Sequence, residues 1–303
     1  MSLLVVGSVA LDTIETPFGK ADDALGGSAT FISAAASFFM KDISLVGVVG
    51  SDFPKEHIAF LAGKGINLDG LQIIEGGKTF RWSGRYHFDL NTRDTLDTQL
   101  NVFENFNPII PEAAKNAEYV VLGNIHPALQ LQVLDQVKNP KLVIADTMNF
   151  WISGAYDQLV KTLARVDLLS INDSEARELA KEHNLVKAAR KIMEMGPHTL
   201  IIKKGEHGAL LFTSDSIFSA PAYPLEDIFD PTGAGDTFMG GFIGYLAKHD
   251  KLDLDHLKRA VIYGSTLASY SVEKFSLERL QNLTSKEIES RYRQFKNLSQ
   301  FEE

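Results

Sequence analysis

One carboxylate follows a run of very small residues in the segment DPTGAGDTFMGG, residues 230–241: Asp236 comes directly after Gly233, Ala234 and Gly235. An apolar run begins two residues later and predicts a helix. The first amides of a helix have no partner inside it, and the small residues leave them accessible, so this turn can bind an anion. A carboxylate held beside a bound phosphate can accept the proton of an attacking hydroxyl, which indicates phosphoryl transfer.

A structural role for Asp236 is the alternative, because a first-turn aspartate stabilises a helix by about 1 kcal/mol. That role alone leaves the small residues of the turn unexplained, together with Gly240, Gly241 and Gly244 in the helix that follows. We expect these three glycines to let the helix pack closely against a sheet.

Other phosphate and catalytic motifs fail on this sequence. QIIEGGKT has Gln72 where a Walker A loop needs glycine, and GAGDTF has Phe238 where a dinucleotide fingerprint needs its third glycine. There is no G-x-S-x-G nucleophile elbow, and the eight histidines show no paired metal-ligand spacing. With no cysteine in the chain, disulfides and thiolate metal sites are excluded.

The composition is that of a globular protein able to bury a large core: 303 residues, 45% apolar and 23% charged. A net charge of −9 argues against binding to DNA or RNA, which requires a basic surface. The start of the chain lacks a basic signal-peptide region, and no apolar stretch approaches the roughly 20 residues that cross a bilayer. We therefore expect no nucleic-acid or membrane partner, and a cytoplasmic location.

Short apolar runs that resemble buried parallel strands alternate with helical patterns, which predicts a doubly wound α/β fold. The predicted strands are 3–11, 43–50, 119–125, 142–146, 166–172 and 199–205. The predicted helices are 29–40, 55–62, 128–137, 155–165, 174–182 and 186–195.

Two polar and aromatic stretches, 12–20 and 72–106, interrupt this alternation and predict a small antiparallel sheet that projects as a lid. So small a sheet must pack on the rim of the active site or on a second subunit, which leaves a homodimer through the lid as one arrangement. Its aromatic residues either pack the lid or stack on a base: Phe80, Trp82, Tyr86 and Phe88.

Five segments in order resemble the motifs of the PfkB family of carbohydrate and nucleoside kinases, and the resemblance spans nearly the whole chain. They are GSVALD at 7–12, GGSATFISAAASF at 26–38, INDSEA at 171–176, KKGEHGA at 203–209 and DPTGAGDTFMGGF at 230–242. The resemblance implies one ribokinase-like domain over 1–303, with a mostly parallel sheet flanked by helices and the lid inserted into it.

The resemblance also implies roles for individual residues. Asp236 is the catalytic base, and 233–235 form the anion hole for the transferring phosphate. Asn172 and Glu175 organise Mg²⁺ through water, although the same pair can form a helix capping box. Further nucleotide contacts come from four residues: Lys204, Gly205, Gly208 and Thr232.

The residues expected to bind the acceptor match the family's motif less well. Asp12 with Gly26 and Gly27 matches the acceptor-binding motif, but Phe31 stands where many sugar kinases have an asparagine. Arg93 in the lid can reach a hydroxyl or phosphate of the acceptor, or lie on the surface. Asp230 with Thr232 matches positions that bind a monovalent cation, K⁺, in some members.

The sequence therefore predicts an ATP- and Mg²⁺-dependent kinase that phosphorylates a hydroxyl, chiefly a hydroxymethyl, of a sugar or nucleoside. Two alternatives stay open. A sugar-phosphate kinase of the same family needs a cluster of cationic lid residues, for which Arg81, Arg85 and Arg93 are available. A non-catalytic regulator would keep the fold and the nucleotide but not the turnover.

Overall fold

The computed structural model describes residues 1–300, in which thirteen strands form two sheets. The strands are β1 Leu3–Val6, β2 Ala10–Thr16, β3 Gly19–Gly26, β4 Ile43–Gly50, β5 Ile66–Ile74, β6 Phe80–Tyr86, β7 Arg93–Gln99, β8 Tyr119–Leu122, β9 Leu142–Ala145, β10 Leu168–Asn172, β11 Thr199–Lys203, β12 Ala209–Phe212 and β13 Ile217–Ala220. The helices are α1 Ser28–Ala36, α2 Lys55–Gly63, α3 Pro127–Leu134, α4 Asn149–Gly154, α5 Tyr156–Leu163, α6 Asp173–Ala180, α7 Leu185–Met193, α8 Ala234–His249, α9 Leu254–Ser271, α10 Glu278–Asn282 and α11 Ser285–Ser299. Short 3₁₀ turns lie at Asn101–Asn105, Glu112–Ala114 and Gly205–His207.

The larger sheet has nine strands in the order β13-β12-β11-β10-β9-β8-β1-β4-β5. Its pairs are parallel from β5 through to β11, and β12 pairs antiparallel with both its neighbours. From β1 the chain adds β4 and β5 on one side, then returns to add β8 to β11 on the other. The strand order therefore reverses between β1 and β8, and ligands of open α/β sheets bind outside the carboxyl ends of strands at such a point.

Alternate side chains of β1 explain why helices cover both faces of this sheet. Leu3 and Val5 pack into the core under α1, α8 and α9, whereas Leu4 and Val6 pack into the core under α5, α6 and α7. A strand buried on both faces is apolar at every position. This arrangement confirms the predicted fold class.

The smaller sheet has the order β3-β2-β6-β7 and forms the lid. Its outer pairs are antiparallel, as predicted, but its central pair, β2 with β6, is parallel because the βαβ unit β4–α2–β5 separates these strands in the chain. The boundaries also differ from the prediction. β2 begins at Ala10 and β3 continues to Gly26, while β5 reaches Ile74 within the larger sheet.

Helices α1 and α8 pack unusually closely, backbone against backbone. A Cβ at Gly240 would lie 2.3 Å from the carbonyl oxygen of Ile32, and one at Gly244 would lie 3.0 Å from the Cα of Ala36. Gly241 faces Gly264 of α9 in the same way. The prediction that these glycines face the sheet was therefore wrong, because they serve helix–helix packing on one side of it.

One predicted strand divides. The run 3–11 separates at Gly7-Ser8, where the N-terminus of α1 meets the chain: the amide of Ala29 donates to the carbonyl of Ser8. A Cβ at Gly7 would lie 2.5 Å from Ser28 Oγ, so the close approach requires glycine. The helix predicted at 155–165 is present as α5, and the short helix α4, which was not predicted, precedes it.

Candidate active site

The carboxyl ends of neighbouring strands bring three polar side chains to one edge of the larger sheet. Asp146 follows β9, Asn172 ends β10, and Lys203 ends β11, with Asn172 and Lys203 directly paired in register. Lys203 Nζ lies 3.9 Å from Asp146 Oδ1, and both side chains are largely buried. A charged row therefore lies beside the point where the strand order reverses.

The turn that begins α8 faces this row. Gly233 is the N-cap residue with φ 72°, a left-handed conformation that favours glycine, and a Cβ at Gly235 would lie 3.1 Å from Lys203 Nζ. Asp236 lies in the first turn of α8, and its Oδ1 atom is buried with no hydrogen-bond partner within residues 1–300. Such an atom is expected to face a ligand.

Burial and, to a smaller extent, the charge of Asp146 together raise the pKa of Asp236 to about 7, against the opposing effect of Lys203. A carboxyl group with a pKa near neutrality is suited to accepting and releasing a proton. The N-terminus of a helix favours an ionised carboxylate, but burial and neighbouring acids outweigh that effect at Asp236.

Asp12 lies close to the same turn, as the resemblance implied. It is 6% exposed, and the position of a Cβ on Gly26 is only 1.9 Å from its Oδ2 atom, so the carboxylate lies directly over this glycine. Gly27 has φ 94° and contacts the carbonyl of Ser8. Burial raises the pKa of Asp12 to about 7, with contributions from the charges of Asp230 and Asp236.

Phe31 is 1% exposed, and its ring lies against the phosphate turn. A Cβ at Gly233 would lie 2.5 Å from Phe31 Cε2 and Cζ. The Phe31 ring therefore packs against the turn. This structural role was not evident from the sequence, which showed only that Phe31 stands where many sugar kinases have an asparagine. Contact of Phe31 with the acceptor stays a prediction.

Asn172 and Glu175 form the capping box that the sequence left as an alternative. Asn172 Oδ1 accepts from the amide of Glu175 at 2.8 Å, and Glu175 Oε2 accepts from the amide of Asn172 at 2.8 Å. Burial and, to a smaller extent, the charge of Asp146 nevertheless raise the pKa of Glu175 to about 7. The pair thus caps α6 and also presents a carboxyl group to the charged row.

A cavity of about 520 Å³ opens beside the turn, between it and the hairpin of β11 and β12. Its walls include Lys203, Gly205, Gly208, Ala234 and Gly235. The rest of the wall is largely apolar and suits an aromatic base: Ala209, Leu225, Ile228, Phe238, Ala268 and Val272. The predicted nucleotide residues Gly205 and Gly208 both line it, whereas Lys204, next to Lys203, does not.

The tip of the lid hairpin also reaches this cavity. Asp89, Leu90 and Asn91 lie between β6 and β7 and form part of its wall. A Cβ at Gly205 would lie 2.9 Å from Asn91 Oδ1, so the tip rests on the turn after β11. The lid therefore bounds the nucleotide side as well as the acceptor side.

Asp230 and Thr232 brace the turn. Asp230 is 1% exposed; its Oδ1 accepts from the amide of Thr232, and its Oδ2 accepts from the amide of Ser276, both at 2.8 Å. Thr232 Oγ1 donates to the hydroxyl of Tyr86 at 3.2 Å, which ties the lid to the turn. Binding of a monovalent cation at Asp230 stays a prediction.

The lid aromatics mostly pack, the first of the two expected roles. Phe80 stacks on Phe103 at 5.2 Å between ring centroids, and Tyr86 is buried. Phe88 lies beyond the end of β6 and is 86% exposed, so the predicted apolar face does not extend to it.

Arginines in the lid are largely committed to ion pairs. Arg81 pairs with Asp23 and Asp52, and Arg85 pairs with Glu15. Arg93 instead lies over the ring of Trp82, and its charge lowers the pKa of Asp12, Glu175 and Asp236 against the larger raising effect of burial. The cationic cluster that a sugar-phosphate acceptor requires is thus reduced to Arg93.

Sequence reasoning missed Asp146 and Lys203. LVIAD and TLIIKKG each end a buried strand with a charged residue, and parallel strands present such ends at one edge. That signal could have found both residues, although it does not separate Lys203 from Lys204.

Comparison with known proteins identifies the family of this chain. Residues 5–282 match the model of the pfkB family carbohydrate kinases. The chain belongs to this family. A cytidine kinase of Thermococcus kodakarensis is 31% identical over 253 residues, covering 81% of this chain and 88% of that enzyme.

Solved members of the same fold superpose over almost the whole chain. The nucleoside kinase of Burkholderia thailandensis in complex with inosine has a TM-score of 0.77 at 20% identity, covering 97% of this chain and 98% of that one. A putative ribokinase II of E. coli in complex with ATP and Mg²⁺ has a TM-score of 0.79 at 19% identity, covering 97% and 99%.

Membership of the pfkB family confirms the predicted reaction class: this chain is a kinase that uses ATP to phosphorylate a hydroxyl of a sugar or nucleoside. No helix within residues 1–300 is long and apolar enough to cross a membrane. The same residues contain no group of three or more acidic or histidine side chains arranged around a metal. A cation held mainly by phosphates and water fits that finding.

Proposed function

We propose that this kinase transfers the γ-phosphoryl group of ATP to a hydroxymethyl oxygen of a nucleoside, with Asp236 as general base. The observation that carries the proposal is the buried, unpartnered Oδ1 of Asp236, placed in the first turn of α8. On one side of this atom lies the nucleotide cavity, reached through Ala234 and Gly235, and on the other lies Asp12.

In this mechanism Asp12 and the backbone around Gly26 and Gly27 orient the acceptor. The acceptor oxygen forms a bond to the γ-phosphorus as the bond to the bridging oxygen of ATP breaks, and the acceptor proton passes to Asp236. The amides of Gly233 and Gly235 stabilise charge on the transferring group, whereas the amide of Ala234, which the resemblance included, donates to the carbonyl of Pro231. Mg²⁺ bound with ATP supplies charge neutralisation at the phosphates, and Asn172 and Glu175 would hold its water ligands.

A nucleoside acceptor is supported by the relatives' names and by an aromatic pair after β9. Trp151 Nε1 donates to Asn124 Oδ1 at 2.9 Å, which holds the indole at the end of β8, next to the reversal point. Phe150 packs edge-on against Trp151 and is 62% exposed. The exposed ring of Phe150 offers a face on which a base can stack and which a free pentose would leave uncovered.

The test is ADP release measured over cytidine, inosine, ribose and fructose 6-phosphate, with Asp236→Asn beside the parent enzyme. We expect turnover with a nucleoside, and a loss of about 10³- to 10⁵-fold in kcat for the variant while nucleotide binding is retained. Near-normal turnover by Asp236→Asn would refute the base assignment. Nucleotide binding without ADP release from any acceptor would favour the regulator instead.

Two finer points belong to the proposal. A K⁺ requirement is supported by the buried Asp230 carboxylate, and equal activity in KCl and NaCl would contradict it.

A homodimer through the lid is supported by three exposed apolar side chains on it: Phe18, Phe88 and Leu96. A monomeric mass by light scattering would contradict that arrangement.

A further inference from the structure

Lys203 occupies a position where a phosphate-binding cation would be most effective. It ends β11, its side chain is 17% exposed, and it forms part of the wall of the nucleotide cavity. Its Nζ atom lies 3.1 Å from where a Cβ of Gly235 would be, beside the first amides of α8. An oxyanion bound to those amides would therefore meet the ammonium group.

Lys203 has hydrogen-bond donors that its contact with Asp146 does not use. Its distance of 3.9 Å to Asp146 Oδ1 is too long for a hydrogen bond, and Nζ donates to no acceptor in the described chain, residues 1–300. An ammonium group has three donors and is costly to leave partly buried without partners. The free donors face the cavity and are satisfied once an anion enters.

The charges around Lys203 also indicate that its ammonium group binds an anion. Asp146, Glu175 and Asp236 surround Lys203, and its charge opposes the effect of burial on the pKa of all three. These carboxyl groups would repel the γ-phosphate of a nucleotide, and the fixed charge of Lys203 opposes that repulsion.

We propose that Lys203 is a catalytic residue, whose ammonium group binds the non-bridging oxygens of the transferring phosphoryl group, and that Asp146 is a positioning residue that holds it there. This inference rests on the proposed function, in which Asp236 accepts the acceptor proton and ADP leaves with the electron pair of the broken P–O bond. Lys203 keeps its proton throughout and acts by its charge alone.

The experiment compares Lys203→Gln and Lys203→Arg with Lys161→Gln, an exposed lysine on α5 as matched control. We expect Lys203→Gln to lower kcat about 100-fold or more, Lys203→Arg to recover part of that loss, and the control to match the parent. Calorimetry with AMP-PNP and ADP gives a second measurement that does not depend on turnover. Lys203→Gln should weaken AMP-PNP and leave ADP binding within twofold, because only the γ-phosphate contacts the ammonium group.

Asp146→Asn tests the positioning role. We expect a smaller loss of kcat than in Lys203→Gln, and no further loss when the two changes are combined, because Asp146 acts through Lys203. Independent, multiplying losses would overturn that role. Wild-type kcat in Lys203→Gln, or equal weakening of ADP and AMP-PNP, would overturn the catalytic role.

Failure of this inference is distinguishable from failure of the proposed function. If Asp236→Asn is inactive while Lys203→Gln turns over normally, the base assignment stands and only the role of Lys203 is wrong. If Asp236→Asn retains turnover, the proposed function itself is wrong.

Discussion

Replacing Asp12 by asparagine should stabilise the ligand-free enzyme, most strongly at high pH. Asp12 is 6% exposed and lies over Gly26, with the amide of Gly27 as a hydrogen-bond donor that asparagine Oδ1 can also accept. The change is therefore nearly isosteric and removes chiefly a buried charge.

The magnitude follows from the pKa of Asp12, raised from 3.8 to about 7, first by burial and then by the charges of Asp230 and Asp236. Between these values the folded protein holds a proton that the unfolded chain has lost, so the free energy of unfolding falls as pH rises. With about 1.36 kcal/mol for each pKa unit, the carboxylate costs about 4 kcal/mol at pH 8 and about 2 kcal/mol at pH 5. Below pH 4 this cost vanishes.

Urea unfolding at pH 5 and pH 8, without ligands, measures this difference. We expect Asp12→Asn to gain about 2 kcal/mol more at pH 8 than at pH 5, while Glu178→Gln, an exposed change on α6, shows no such difference. The same variant should bind acceptor poorly, because Asp12 is proposed to hold its hydroxyls. A change in the free energy of unfolding that is the same at both pH values, or a less stable variant at pH 8, would show that the charge of Asp12 does not destabilise the folded enzyme.

The remaining predictions concern the turn. Gly233→Ala should cost about 2 to 5 kcal/mol in urea unfolding, since φ is 72° and the new Cβ would meet the Phe31 ring at 2.5 Å. Adding Phe31→Leu should remove part of that cost, and strictly additive losses would contradict the contact. The value of kcat/KM should fall as pH drops below about 7, because burial raises the pKa of Asp236 to about 7 and the base must be ionised. A flat profile from pH 5.5 to 7.5 would contradict this prediction.

The part of the site formed by residues that are close together in the sequence could be predicted, and the part formed by distant residues could not. The turn and Asp236 form one contiguous segment, so their chemistry could be predicted before any fold was known. Asp146 and Lys203 come from different strands, and only the parallel register of β8 to β11 brings their charges to one edge. The local pattern contains no information about that register.

Packing explains the other differences. The run 3–11 looks like one strand because every residue is apolar or small, yet α1 meets it at Gly7 and directs the rest into the lid. Phe31 looked like a lost polar contact because the sequence does not show that the ring lies under Gly233. The raised pKa of Asp236 could not be predicted either, since its burial, which is the largest cause, and the charge of Asp146 both depend on residues distant in the chain.

The glycine contacts between α1 and α8 have a consequence for the spacing of the two substrates. Phe31 meets Gly233, Ile32 meets Gly240 and Ala36 meets Gly244, so the two helices run in the same direction with their first turns side by side. One first turn follows Gly26 and Gly27, which are proposed to bind the acceptor, and the other follows the turn that is proposed to bind the phosphate. Because Gly240 and Gly244 contact the backbone of α1, the helix pair fixes the distance between these two places independently of the lid.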